Sequence, residues 1–228
     1  MSIDEINQEL SKCESPCEGA TCCNTVVPVP EVVTAANYQH LAARTECDQT
    51  LAFGAIVDAM EDPTNPANMT VRLIHACFGL TSDYYELLHA SSRTNLKEEL
   101  GDMLWYLAEA ANAKGWSFAD RVVTPYGVFG HHYSMDAIAL GISGMAEYLE
   151  RTYFYRQPTP DTKLETALMN VYCGIAGLCN VYGFTVEQVM SANIAKLRAR
   201  FPKKFEYADA LEEARDRVQE ARVVEASN

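Results

Sequence analysis

The residues of this chain best suited to chemistry are two acidic pairs, Asp83-x-x-Glu86 and Glu99-x-x-Asp102. On an α-helix, residues three apart lie about 60° apart at roughly 100° per residue, so each pair projects from one face. The pairs stand on neighbouring helical segments joined by a short polar turn, and a hairpin would bring all four carboxylates to one spot. Clustered carboxylates repel one another and cost folding energy unless cations neutralise them. Hard oxygen ligands with open positions suit Mg²⁺ or Mn²⁺ bridged to phosphate oxygens. The expectation is a metal–phosphate site.

The segment carrying the second pair has two stripes. Leu96, Leu100, Met103, Leu104, Leu107 and Ala111 gather on one side of the helical wheel as a core face. Glu98, Glu99, Asp102, Tyr106 and Glu109 form the neighbouring stripe, with no lysine or arginine interleaved. Trp105 falls opposite the core face, where it is covered by another layer or a second subunit, or borders a ligand pocket. Glu98 adjoins the ligand pair without belonging to it, which suits a water-activating base. It also stands three residues after Asn95, the place of a reciprocal capping residue. Further on, Asn193, Lys196 and Arg200 share one helix face and suit phosphate oxygens, or else complement the dipole at that helix's C-terminus.

The elements that must position these groups read as helical almost throughout. A first helix is expected over about Ala35–Met60, stopped by Glu61-Asp62-Pro63-Thr64-Asn65-Pro66. Asn68 caps a second, to about Ala90, and Asn95 a third, ending at Lys114-Gly115. Residues 121–133 read as a connector, and a fourth helix runs on to about Arg156. A fifth spans about Asp161 to Tyr182 and ends at Gly183. Thr185 with Gln188 marks a capping box for a sixth, stopping before Pro202. No strand alternation is evident, so the class is all-α. Setting Gly115 on Gly183 places Asp102 on Asn170 and Glu99 on Ala167, a weak echo. It suggests a duplicated hairpin over residues 116–184 whose second copy lacks the acids, with chance likeness of two amphipathic hairpins as the alternative.

Residues 1–34 read as an arm holding Cys13, Cys17, Cys22 and Cys23, whose spacing fits no standard zinc framework. The helical domain spans 35–207, and residues 208–228 form a charged tail, helical and exposed. With 18 basic against 31 acidic residues, the net charge of −13 argues against nucleic acid and against an anionic membrane surface as partners. No window approaches a transmembrane span and no signal layout opens the chain, so a cytoplasmic protein is expected. The eight cysteines are then expected to be mostly buried or free thiols.

Gly79-Leu80-x-x-Asp83-x-x-Glu86-Leu87, followed by Lys97-Glu98-Glu99-Leu100-Gly101-Asp102-Met103-Leu104-Trp105-Tyr106-Leu107, resembles the signature of the all-α nucleoside triphosphate pyrophosphohydrolases, the MazG-like enzymes. Tyr38-Gln39-x-x-Ala42-x-Arg44-Thr45 is similar to the opening helix of the phage-type members. Asn193-Ile194-x-Lys196-Leu197-x-x-Arg200-Phe201-Pro202, with Phe205, is similar to their closing motif. The chain departs from the pattern at Asp83, where glutamate is usual, at Tyr85, where glycine is usual, and at Lys203-Lys204-Phe205. Residues 116–184 have no counterpart in the short members and could instead resemble the dimeric dUTPase branch.

The resemblance implies a MazG-like helical bundle that hydrolyses a (d)NTP to (d)NMP and pyrophosphate. It implies two or more Mg²⁺ ions, or Mn²⁺, at Asp83, Glu86, Glu99 and Asp102, with Glu98 and Glu99 catalytic. Asn193, Lys196 and Arg200 would bind phosphates, and Tyr38, Arg44, His75, Trp105 and Tyr106 would contact base or sugar, with core packing as the alternative for each aromatic. A homo-oligomer, dimer or tetramer, and a bacterial or phage origin are further expectations. Two rival readings stand beside it: a nucleotide-binding regulator that has lost catalysis, and a di-iron carboxylate bundle built on Glu86-Leu87-Leu88-His89.

Overall fold

The computed structural model describes residues 66–124, 130–201 and 216–226, all within one compact unit, Cys47–Asn228. The expected first helix, the cysteine cluster of the arm, and Tyr38 and Arg44 lie outside the described residues. Among the described residues there are seven helices and no strand, as an all-α fold requires. They are α1 (Pro66–Leu88), α2 (Arg93–Lys114), α3 (Phe118–Arg121), α4 (His131–Leu149), α5 (Asp161–Tyr182), α6 (Val186–Arg200) and α7 (Arg217–Ala226). No single helix among them is long and apolar enough to cross a membrane.

Helices α1, α2, α5 and α4 close a four-membered ring, each packed on the next. Their directions follow from end-to-end bonds. Arg93, at the start of α2, donates to the Tyr182 and Gly183 carbonyls at the end of α5, while Lys114, at the end of α2, reaches Asp161 at 2.8 Å. Those two helices are therefore antiparallel. Tyr84 Oη, near the end of α1, donates to the Met135 carbonyl near the start of α4. The result is an up-down-up-down bundle. Leu73, Leu80, Leu100, Leu107, Ile138, Met145, Leu168 and Ile175 are wholly buried along its axis. Helix α6 leaves α5 at a bend of about 100° and lies on α2, and α7 packs on both α6 and α2.

Local chemistry sets most of the ends. Gly115 and Gly183 take the left-handed conformation, φ 65° and 70°, and close α2 and α5 by donating to carbonyls of the last turn. The Thr185–Gln188 capping box opens α6 as expected. Other boundaries differ from the sequence reading. Asn68 lies inside α1, because Pro66 opens it, and a missing N–H is harmless in a first turn.

Asn95 is likewise not the cap of α2. Ser92 holds that position, accepting from the Asn95 N–H, which frees the Asn95 side chain to bond elsewhere. The connector is shorter than residues 121–133, since α3 precedes it and α4 already begins at His131. The fourth helix ends as an α-helix at Leu149, widens into a π-turn over Glu150–Phe154, and stops where Arg156 takes φ 51°. The tail is helical over Arg217–Ala226, but it is not simply exposed, because Glu220 and Val224 are buried.

The echo between the two hairpins extends to packing. In the register that sets Gly115 on Gly183, the buried Leu96, Leu100, Met103, Leu107 and Ala111 fall on the buried Leu164, Leu168, Val171, Ile175 and Cys179. Ser117 and Thr185, two residues past each glycine, both cap the next helix. The two hairpins differ at the acids. Ala167, in the place of Glu99, sits 3.2 Å from where a Gly144 Cβ would be, and a Gly141 Cβ would press on its carbonyl. Small residues there let α4 and α5 close together.

Candidate active site

Asp83 and Glu86 project from the last turns of α1, and Glu98, Glu99 and Asp102 from the first half of α2. All five line one cavity of about 350 Å³. Lys196, Leu197, Arg200 and Phe201 bound it from α6 and the residue that follows, Arg217 from α7, and His75, Trp105 and Tyr106 from the bundle side. Two glycines of the sequence motif allow this. A Cβ at Gly79 would fall within the Tyr106 ring, and one at Gly101 would stand 2.9 Å from Asn193 Cβ. Their absence lets Tyr106 lie against α1 and lets α6 approach α2.

Asp102 is the hub. Lys196 Nζ donates to its two oxygens at 2.6 and 2.5 Å, and Asn193 Nδ2 to Oδ1 at 2.7 Å. The same ammonium reaches Glu98 Oε1 at 3.2 Å. Glu99, buried, accepts from Asn95 Nδ2 at 2.6 Å. Asn193 and Lys196, expected at phosphates, are therefore both engaged with the acid cluster, while Arg200 lines the cavity. Asn95 carries a role its sequence position had assigned to capping; the i, i+4 spacing to Glu99 was the available signal.

Asp83 is the least provided for. Among the described residues, its buried Oδ2 has no hydrogen-bond partner. Burial, then the charges of Asp102, Glu99 and Glu86, push its carboxyl up to about 8. Glu99 is pushed up to about 7 by burial first and then by Glu86, Asp102 and Glu98. Burial also raises Asp102, although Lys196 and Asn193 pull the other way. Burial opposes the charge on Lys196, but Asp102 and Glu98 outweigh it and hold its proton more tightly than usual. Tyr106 is raised by burial, then by Asp83, Asp102 and Glu86. These directions share one origin: too many carboxylates in too little water.

Among the described residues, no group of three or more His, Cys, Asp or Glu side chains is arranged to hold a metal ion. Asp102 is turned to Lys196 and Glu99 to Asn95. The donor set still fits a hard divalent cation. It is all oxygen, it contains an orphaned buried oxygen, and its mutual repulsion is what a cation would relieve.

The aromatic wall is a set of edge-on contacts. His75 meets Tyr106 at 5.5 Å between centroids and Trp105 at 6.3 Å, and Trp105 meets Tyr106 at 5.0 Å. Trp105, the residue opposite the core face, thus borders the cavity. Glu109 lies outside it, paired with Arg72 at 3.1 Å. His89, the histidine of the Glu-x-x-His motif, is exposed just past the end of α1, its Nδ1 2.8 Å from the Tyr85 carbonyl and its ring against Tyr85. Arg217 had no local signal, since only the docking of α7 brings it to the cavity. Set against protein-family models, curated proteins and solved structures, the chain matches none of them.

Proposed function

We propose that the chain is a Mg²⁺-dependent nucleoside triphosphate pyrophosphohydrolase, cleaving a (d)NTP at the α-phosphorus to (d)NMP and pyrophosphate. The observation that carries this reading is the convergence of Asp83, Glu86, Glu99 and Asp102 on one cavity that also receives Lys196 and Arg200, with a buried Asp83 oxygen that no described residue bonds. Held by these four carboxylates, Mg²⁺ or Mn²⁺ would neutralise the triphosphate and the charge that develops on the leaving pyrophosphate.

The side chains divide the remaining work. Lys196 and Asn193 hold Asp102, and Asn95 holds Glu99, so two of the four acids are fixed before substrate arrives. Glu98, at the cavity wall, accepts the proton of the water that attacks the α-phosphorus. The bond from the α-phosphorus to the oxygen that bridges it to the β-phosphorus breaks, and its electron pair leaves on that oxygen with pyrophosphate. Arg200 faces the phosphates. His75, Trp105 and Tyr106 offer an aromatic edge for the base, a surface whose width sets the preference among nucleotides. Among the described residues, the motifs of α1, α2 and α6 that resemble the MazG-like enzymes contribute to this cavity, and Gly79 and Gly101 have a packing reason there.

A panel of canonical NTPs and dNTPs, assayed with Mg²⁺ and with Mn²⁺ for monophosphate and pyrophosphate, tests the reading. At least one nucleotide should yield both products in equal amounts, and Glu99→Gln should lose the activity. Release of inorganic phosphate in place of pyrophosphate, or activity indifferent to Glu99, would overturn it.

A further inference from the structure

We propose that the C-terminal helix α7 completes this site, and that its Arg217 grips the terminal phosphates of the substrate. The inference rests on reading the cavity as a polyphosphate site, and adds an element to it. Arg217 lines the same cavity as Arg200 and the acid cluster. Its helix is seated by burial: Val224 and Glu220 are 1% and 3% exposed. Lys97, itself 2% exposed, donates from Nζ to the Val224 carbonyl at 3.4 Å. A lysine is rarely buried so completely.

Lys97 directly precedes Glu98 and Glu99. One turn of α2 therefore presents acids to the cavity and, at its flank, fixes the helix that delivers Arg217. The charge distribution explains why a further cation belongs there. A chain of net charge −13 repels a polyphosphate unless local cations offset that field. A guanidinium fork matches the oxygens of a terminal phosphate, and the α6–α7 side of the cavity supplies two, Arg200 and Arg217.

The test uses the full chain with Mg²⁺ and inorganic tripolyphosphate as the binding probe, alongside the nucleotide panel. Arg217→Ala should weaken tripolyphosphate binding roughly tenfold or more, as loss of a charged hydrogen bond does. It should raise KM for the nucleotide by a similar factor with kcat little moved, leave monophosphate binding unchanged, and be partly rescued by Arg217→Lys. Val224→Asp, which should undock α7, is expected to reproduce the loss, and combining it with Arg217→Ala should add nothing.

Unchanged tripolyphosphate binding in Arg217→Ala, or fully additive losses in the double variant, would overturn the proposal. Should Val224→Asp unfold the chain, the exposed Arg217→Ala decides alone. Binding that depends on Arg217 without any nucleotide hydrolysis would sink the hydrolase reading and leave this one standing. Hydrolysis whose KM ignores Arg217 would do the reverse.

Discussion

Asp83 and Glu99 make the metal-free site a measurable source of instability. An acid whose folded pKa is raised contributes stability that is complete below its unfolded value and lost as pH climbs through its folded value. For Asp83 that window runs from 3.8 to about 8, and for Glu99 from 4.5 to about 7. In chelator, the melting temperature of the protein should therefore fall steadily between those limits. Asp83→Asn should flatten the decline, matching wild type near the acid end and melting above it at pH 8; parallel curves would refute the assignment. Lys196 acts in the opposite sense. It is buried 2.5 Å from Asp102, and removing one partner of such a pair typically costs about 3–5 kcal/mol. Lys196→Met should approach that loss at pH 8 in urea titrations and lose less as the pH falls, because burial already favours the protonated form of Asp102. Both roles descend from residue types visible in the sequence. Which acid lacks a partner was not visible, because Asn95, Asn193 and Lys196 reach their carboxylates through tertiary packing and an i, i+4 contact that competes with capping.

At the scale of elements, the legible features were those set by bonds within a few residues. Gly115, Gly183 and the Thr185–Gln188 box stop or start helices through their own backbone and side chains, so their positions could be read directly. The start of α2 could not, because Ser91-Ser92-Arg93-Thr94-Asn95 offers several good capping residues in a row and geometry chooses among them. The seating of α7 was illegible for a different reason: Lys97, Glu220 and Val224 carry no local sign that they are buried. Two glycines separate positioning of the site from stability of the bundle. Gly101→Ala would place a Cβ 2.9 Å from Asn193 Cβ and push α6 away from Asp102. Gly174→Ala would drive a Cβ onto the Ser134 carbonyl between α4 and α5, two helices that contribute no residue to the cavity. Each should destabilise by about 1–3 kcal/mol, the usual penalty of overpacking. In urea unfolding and pyrophosphate release measured together, Gly101→Ala should lose activity well beyond its stability loss, and Gly174→Ala should keep specific activity while folded. Equal loss of activity in the two variants would show that α6 does not position Asp102.

For the whole molecule, the acid cluster is the concentrated part of a larger excess, a net charge of −13 that repels itself at neutral pH. Any salt should stabilise such a chain somewhat by screening, so a rise in melting temperature with MgCl₂ is not by itself a sign of a site. The specific contribution has three marks. It should rise with the logarithm of free Mg²⁺, reaching about 2.7 kcal/mol when free Mg²⁺ exceeds its Kd roughly a hundredfold. It should exceed that of KCl at matched ionic strength. It should also grow from pH 6 to pH 8, because an ion can bind only after Asp83 and Glu99 give up protons that burial and mutual repulsion make them keep. Calorimetric titration in two buffers of different ionisation heat would count the released protons, and Asp83→Asn should reduce both the count and the pH dependence. A Mg²⁺ effect equal to that of matched KCl, linear in concentration and unaffected by Asp83→Asn would mean the four carboxylates answer only to the general field of the protein, and the reading of the cavity as a cation site would fall with it.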